Sequence, residues 1–208
     1  MAIHPVSIKN SFGSHFILWS LFLPLLALIL VPIFMPEQRI DEAEIAMVST
    51  FSINVVEMTD ATNATFSKAF VDSGVMPATE KWFGGHGAGE FQKNSKYAAS
   101  WIHGVWLMIY KAMWRVKVLT SIFFLPLLVL LIPAAVDGFA VRARKKYRFE
   151  NSNPVFFYSS MHMVVLMFGL FAFLPLAPIT LSSNALFGLL ACLSVGVWMT
   201  ASNFQTGT

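Results

Sequence analysis

From Asn151 to Thr208 the sequence contains no residue that is charged at neutral pH. A soluble domain carries charge along its whole length, so a stretch of this kind needs an apolar environment around it. Four apolar runs provide the reason: residues 16–35 (FILWSLFLPLLALILVPIFM), 118–136 (VLTSIFFLPLLVLLIPAAV), 155–177 and 185–201. Each approaches the length a helix needs to cross a bilayer. The last two are separated only by PITLSSN, too short for anything but a tight turn, so they form a hairpin. The first run is too long for the apolar part of a signal peptide, and IFMPEQRI offers no small-x-small cleavage site. It reads as an uncleaved anchor, in which Pro24 is tolerated. The expected fold is an all-α integral membrane protein with four transmembrane helices.

Charge then fixes the orientation. Arg142, Arg144, Lys145, Lys146 and Arg148 fall within seven positions of a loop, 137–154, between the second and third crossings. Cationic residues in short loops are retained on the cytoplasmic side. Lys9 lies on the same side, two crossings away, so both termini are expected in the cytoplasm. Arg39, Lys111, Arg115 and Lys117 flank the opposite side, but long segments translocate largely regardless of charge. Three parts result: a tail and first crossing at 1–35, an extracytoplasmic segment at 36–117, and crossings two to four at 118–208.

The 36–117 segment reads as mainly helical. From Asp41, residues Ile45, Val48, Val55, Met58 and Phe66 recur on one helical face, with acidic residues in the first turn. Gly74 and Pro77 are expected to break this helix. WFGGHGAGE is glycine-rich and reads as a loop. From Glu90 a second helix is expected to run straight into the second crossing. Its rings, Tyr97, Trp101, Trp106, Tyr110 and Trp114, suit a membrane interface or a neighbouring subunit.

Candidate chemistry is sparse. GGHGAGE lacks the Lys-Ser/Thr and the preceding strand of a phosphate loop, and the glycines around His86 defeat a helical metal-ligand pairing with Glu90 or His103. His162 is the polar residue inside a crossing; its expected state is a neutral packing histidine bonded to Ser159, Ser160 or Tyr158, with a proton path as the alternative. Asp137 is expected to close the second crossing and pair with Arg142 or a neighbour. The NAT triplet at Asn63 fits a glycosylation sequon, a match common by chance. Cys192, the single cysteine, excludes an intrachain disulfide and reads as a small buried hydrophobe. No metal, cofactor or catalytic set emerges, and basic residues are not spread over a surface as nucleic-acid binding requires. The expectation is a protein that is not an enzyme and makes no direct contact with nucleic acid.

The order of features from Trp114 onward resembles the membrane proteins of unknown function found in integrating conjugative elements and conjugative plasmids. The resemblance rests on Arg115 ahead of Leu125-Pro126, on Asp137-Gly138, on the basic run Arg142 to Arg148 followed by Glu150 and Ser152, and on Leu174-Pro175 with Pro178. After Tyr158 the chain departs from the family, with Ser159, Ser160 and then His162 where a His and a Lys are frequent. The region before Trp114 shows no family pattern. What the resemblance implies is a non-enzymatic subunit of a type IV secretion apparatus for conjugation, in the bacterial inner membrane. Its implied partners are membrane lipids, other membrane subunits and the coupling ATPase, with a homo-oligomer also open. The basic residues and Asp137 would make lipid or partner contacts. A small transporter or channel subunit with His162 lining a path is the alternative.

Overall fold

The computed structural model describes residues 11–83, 90–147 and 154–204, with the side chains of residues 90–95, 146 and 154 outside that description. Every element of regular structure among the described residues is a helix, with no strand among them. Four helices are long and apolar enough to cross a membrane: Phe12–Phe34, Lys96–Lys145, Val155–Leu176 and Ser183–Ser202.

Helix α1 spans Phe12–Phe34 and contains a π-helical stretch, Leu18–Phe22. Helix α2 spans Glu42–Thr50, capped by Asp41, whose side chain accepts the Ala43 N–H. Helix α3 spans Val55–Phe66, continued by a π-turn, Ser67–Val71. The sequence reading of one helix from Asp41 to Gly74 is corrected here. The Ser49 and Thr50 hydroxyls turn back onto the Ala46 carbonyl, Ser52 adopts a φ of 58°, and the Asn54 side chain caps a new helix through the Val56 and Glu57 N–H groups. Side chains of this type compete with the helix backbone and favour such ends. Gly74, at φ 78°, does end α3. Pro77 breaks nothing, because it falls in the first turn of α4 (Val75–Phe83), where its missing N–H costs little.

Helix α5 spans Glu90–Tyr147 without interruption, as expected where it enters the second apolar run, and carries Pro126 and Pro133 inside it. Its 58 residues correspond to about 87 Å, against a hydrocarbon core of about 30 Å. Residues 137–147 are therefore helix, and the expected loop over 137–154 is corrected. Asp137 lies more than two turns inside α5 rather than at its end. The physical reason is that Ala, Arg and Lys dominate the sequence after Gly138, all good helix formers. Helix α6 spans Pro154–Phe173 and passes into a 3-10 turn, Leu174–Leu176; helix α7 spans Ser183–Ser202, capped by Ser182.

Helix α7 packs against both α5 and α6, while α2 and α3 cover one side of α5. The largest cluster of buried side chains joins Met47 and Val48 of α2, Met58 of α3, Trp114 and Val118 of α5, and Leu186 and Leu190 of α7. Close approach depends on glycines, as in membrane helix pairs generally. A Cβ on Gly138 would stand 2.7 Å from both Ala201 Cβ and the Trp198 carbonyl oxygen. One on Gly104 would meet Pro32 and Pro36 at 3.0–3.1 Å, and one on Gly169 would collide with Trp19. Cys192, expected to be buried, lies exposed on α7, on a side of the helix that no neighbour covers.

Gly138→Ala is expected to cost about 1–3 kcal/mol by forcing α5 from α7. Gly188→Ala, which faces open space on α7, is expected to be neutral or to stabilise by roughly 0.5–1 kcal/mol. Thermal unfolding of both variants in the same detergent checks the contrast; equal effects would contradict the packing.

Candidate functional site

Arg115 is the most deeply buried cation among the described residues, at 0% exposure, and it sits against an equally buried Glu44. Its Nε donates to Glu44 Oε2 at 3.1 Å, and its Nη2 donates to Glu44 Oε1. The other donors face the turn between α6 and α7. Nη1 reaches the carbonyl oxygens of Leu174 (3.2 Å) and Ala177 (2.5 Å), and Nη2 reaches that of Ile179 (2.5 Å). Pro175 and Pro178 lack an N–H, and the helix ends here in a 3-10 turn whose Ala177 N–H bonds the Leu174 carbonyl; carbonyls at this negative end face the guanidinium. A guanidinium fork can serve a carboxylate and several carbonyls at once; a lysine amine has neither the reach nor the geometry. Glu44 Oε1 also accepts the Leu181 N–H at 3.0 Å. One ion pair thereby joins α2, α5 and the α6–α7 turn.

Its surroundings extend the joint. Thr180 donates its hydroxyl to Asp41 Oδ2 at 2.8 Å, beside the α2 cap. The Ala43 N–H, and after it the Thr180 hydroxyl, hold the Asp41 carboxyl below its ordinary pKa. This contribution is complete above the ordinary carboxylate pKa and disappears as pH falls through the lower folded-state value. Lys111, one turn before Arg115, is also buried.

A polar stripe continues up α5. Trp114 Nε1 donates to Thr59 Oγ1 (3.2 Å), the Tyr110 hydroxyl to Asn63 Oδ1 (2.6 Å), Trp106 Nε1 to Thr79 Oγ1 (3.1 Å), and Trp101 Nε1 to the Ile29 carbonyl (2.9 Å). Lys117 donates to Thr65 Oγ1 at 3.2 Å. Of the aromatic residues expected to face a membrane interface or another subunit, Trp101, Trp106, Tyr110 and Trp114 instead dock helices of their own chain, with Trp106 and Trp114 buried, while Tyr97 stays exposed. The spacing from Trp106 to Trp114 places the rings on one face, with acceptors from α3 (Thr59, Asn63) for Trp114 and Tyr110 and from α4 (Thr79) for Trp106.

At the other end of α5, Asp137 Oδ2 accepts from Trp198 Nε1 at 2.7 Å, while Oδ1 lies 3.8 Å from Arg144 Nη2. The expected ion pair with a basic neighbour is thus present, alongside a helix contact the sequence did not show. Lys145 Nζ donates to Asn203 Oδ1 (3.2 Å) and to the Ser202 carbonyl (3.5 Å), and Arg142 stacks 5.1 Å over the Phe204 ring. Cations so placed complement the C-terminal dipole of α7. The side chain of Lys146 and the whole of Arg148 lie outside the described residues, as do Glu150 and Ser152 of the basic motif, and His86. His162 meets His15 of α1, with Nδ1 atoms 3.2 Å apart, and the Phe12 ring at 4.7 Å. Of the expected serine partners, Ser160 is otherwise engaged: it donates to the Phe157 carbonyl and accepts from Thr200.

A family model described as IncC plasmid conjugative DNA transfer protein DtrJ-like matches residues 37–205. The chain belongs to the DtrJ-like family. Its members are thereby tied to conjugative DNA transfer, in agreement with the resemblance seen in the sequence. The match begins well before Trp114, so it includes residues 37–113, where the sequence showed no family pattern, and spans both Glu44 and Arg115. No curated protein and no solved structure matches the chain. In this DtrJ-like chain two landmarks of the resemblance, Arg115 and Leu174-Pro175 with Pro178, meet in one joint, and Asp137-Gly138 forms the α5–α7 contact. Glu44 was missed because an acid near a helix start is adequately explained by the helix dipole alone.

Glu44→Ala leaves Arg115 buried without its carboxylate and is expected to cost about 3–5 kcal/mol. Adding Arg115→Met is expected to cost less than the sum of the two single changes, with a coupling above about 1 kcal/mol. Folded fraction along a denaturing-detergent titration reads the cycle; strictly additive losses would contradict a shared joint.

Proposed function

We propose that this chain is a non-enzymatic inner-membrane subunit of the conjugative DNA-transfer apparatus, acting as a scaffold. The family match to a conjugative transfer protein supports the process. The observation that carries the scaffold reading is the Arg115–Glu44 joint, in which the most deeply buried charges hold helices together. Residues of the 36–117 segment are welded to the α6–α7 hairpin, giving a fixed surface on which other subunits assemble. The four apolar helices cross the membrane, with both termini cytoplasmic and residues 36–117 extracytoplasmic, following the basic end of α5. That end, Arg142 to Lys146, meets anionic lipid or an acidic cytoplasmic partner, for which the coupling ATPase of the type IV secretion system is the candidate.

One observation favours a transporter or channel subunit instead. His15 and His162 bring two titratable rings together between α1 and α6, as a proton path would require. His162→Gln separates the readings, since glutamine hydrogen-bonds but carries no proton at accessible pH. The scaffold reading expects wild-type protein level and conjugation frequency from this variant. Loss of transfer with the complex still assembled would favour the transporter.

The orientation has its own test. In a Cys192→Ala background, a cysteine replacing Ser73 is expected to react with an impermeant maleimide in intact cells, and one replacing Tyr147 only after permeabilisation. The reverse pattern would overturn the assignment. Neutralising Arg144, Lys145 and Lys146 together is expected to lower co-purification of partner or anionic lipid; juxtamembrane cations contribute on the order of 1 kcal/mol each.

A further inference from the structure

Two recesses along α5 share the residue Thr120. The first, about 300 Å³, lies between α3 and α5 and presents Asn54, Glu57, Lys117 and Ser121. The second, about 400 Å³, lies between α5 and α6 and is almost wholly apolar, walled by Phe123, Phe124, Leu127, Phe168 and Phe171. Both volumes fall in the range of small-molecule clefts, about 300–1,000 Å³. Lys117 is the last charged residue before the apolar stretch that ends at Asp137. The polar recess therefore lies at the end of the apolar run, with the aromatic recess running alongside it.

Their chemistry fits one kind of molecule. Glu57 and Lys117 place opposite charges on the walls of the same recess and form no ion pair with each other among the described residues. Lys117 uses one N–H on Thr65, and an ammonium has two more to give. A phosphate suits Lys117, a cationic amine suits Glu57, and an acyl chain suits the phenylalanine-walled recess. A trimethylated amine has no N–H to donate to the carboxylate, and a headgroup of purely negative charge is repelled by it. We propose that the two recesses form one binding site for a phospholipid bearing a primary-amine headgroup, phosphatidylethanolamine in chemistry. The site rests on the membrane reading above and names a ligand that reading does not supply.

The test uses the full chain, purified in mild detergent and stripped of lipid. It is mixed with equal amounts of phosphatidylethanolamine and phosphatidylcholine carrying identical acyl chains, and the lipid retained after gel filtration is quantified by mass spectrometry. The expected result is about one retained phosphatidylethanolamine per chain, enriched several-fold over phosphatidylcholine. Glu57→Gln, an exposed change, is expected to remove the enrichment, and Ala172→Trp, which fills the apolar recess, to reduce retention of both lipids. Equal retention of the two lipids by the unaltered chain, or unchanged enrichment in Glu57→Gln, would overturn the site. Carbonate washing of membranes keeps the two readings apart. A chain released by carbonate overturns the membrane reading itself, whereas one that stays in the membrane yet shows no enrichment overturns only the lipid site.

Discussion

A fully buried guanidinium is the constraint around which this chain is arranged. Removing Arg115 from water is expensive unless its charge is paired and its donors are occupied. Glu44 provides the charge, and the carbonyls of Leu174, Ala177 and Ile179 provide the remaining acceptors. Those acceptors lie where α6 gives way to the proline-containing turn, at the last turn of the helix and just beyond it. The three segments are far apart in sequence, so none of them completes the joint alone. Their mutual dependence fixes α2 over the α6–α7 turn and positions the α5 stripe against α3.

The parts of this arrangement that follow from periodicity and composition were readable in the sequence. Each apolar run became a helix long enough to cross a membrane, and the second grew directly out of the helix before it. The Arg, Asp-Gly and Leu-Pro-x-x-Pro landmarks were visible as separate signals. Their meeting was not, because a contact between Arg115 and Glu44 across 71 positions leaves no local pattern. The same limit applies to Asp137: its basic neighbours were evident, but Trp198, on another helix, was not.

Where local readings failed, the competing force was tertiary packing or side-chain capping. A run of basic residues after Asp-Gly looks like a loop, yet its Ala, Arg and Lys are good helix formers, and with Gly138 packed against α7 the backbone stays helical through Tyr147. An apparently continuous apolar face from Asp41 to Gly74 was interrupted by hydroxyl and amide side chains that satisfy the backbone locally. The aromatic residues of α5 matched an interface belt in composition, and only the position of α3 and α4 showed that the N–H and O–H groups of Trp106, Tyr110 and Trp114 find partners within the chain.

In this DtrJ-like chain, such a joint makes α2 a rigid extension of the helix hairpin rather than part of a tethered loop. The most direct measurement is disulfide formation in native membranes between cysteines replacing Asp41 and Thr180, whose side chains lie 2.8 Å apart, with Cys192→Ala as background. The account expects efficient cross-linking when Arg115 is present and a large loss of it in Arg115→Gln. Equal cross-linking with and without Arg115 would show that something else holds α2 to the α6–α7 turn.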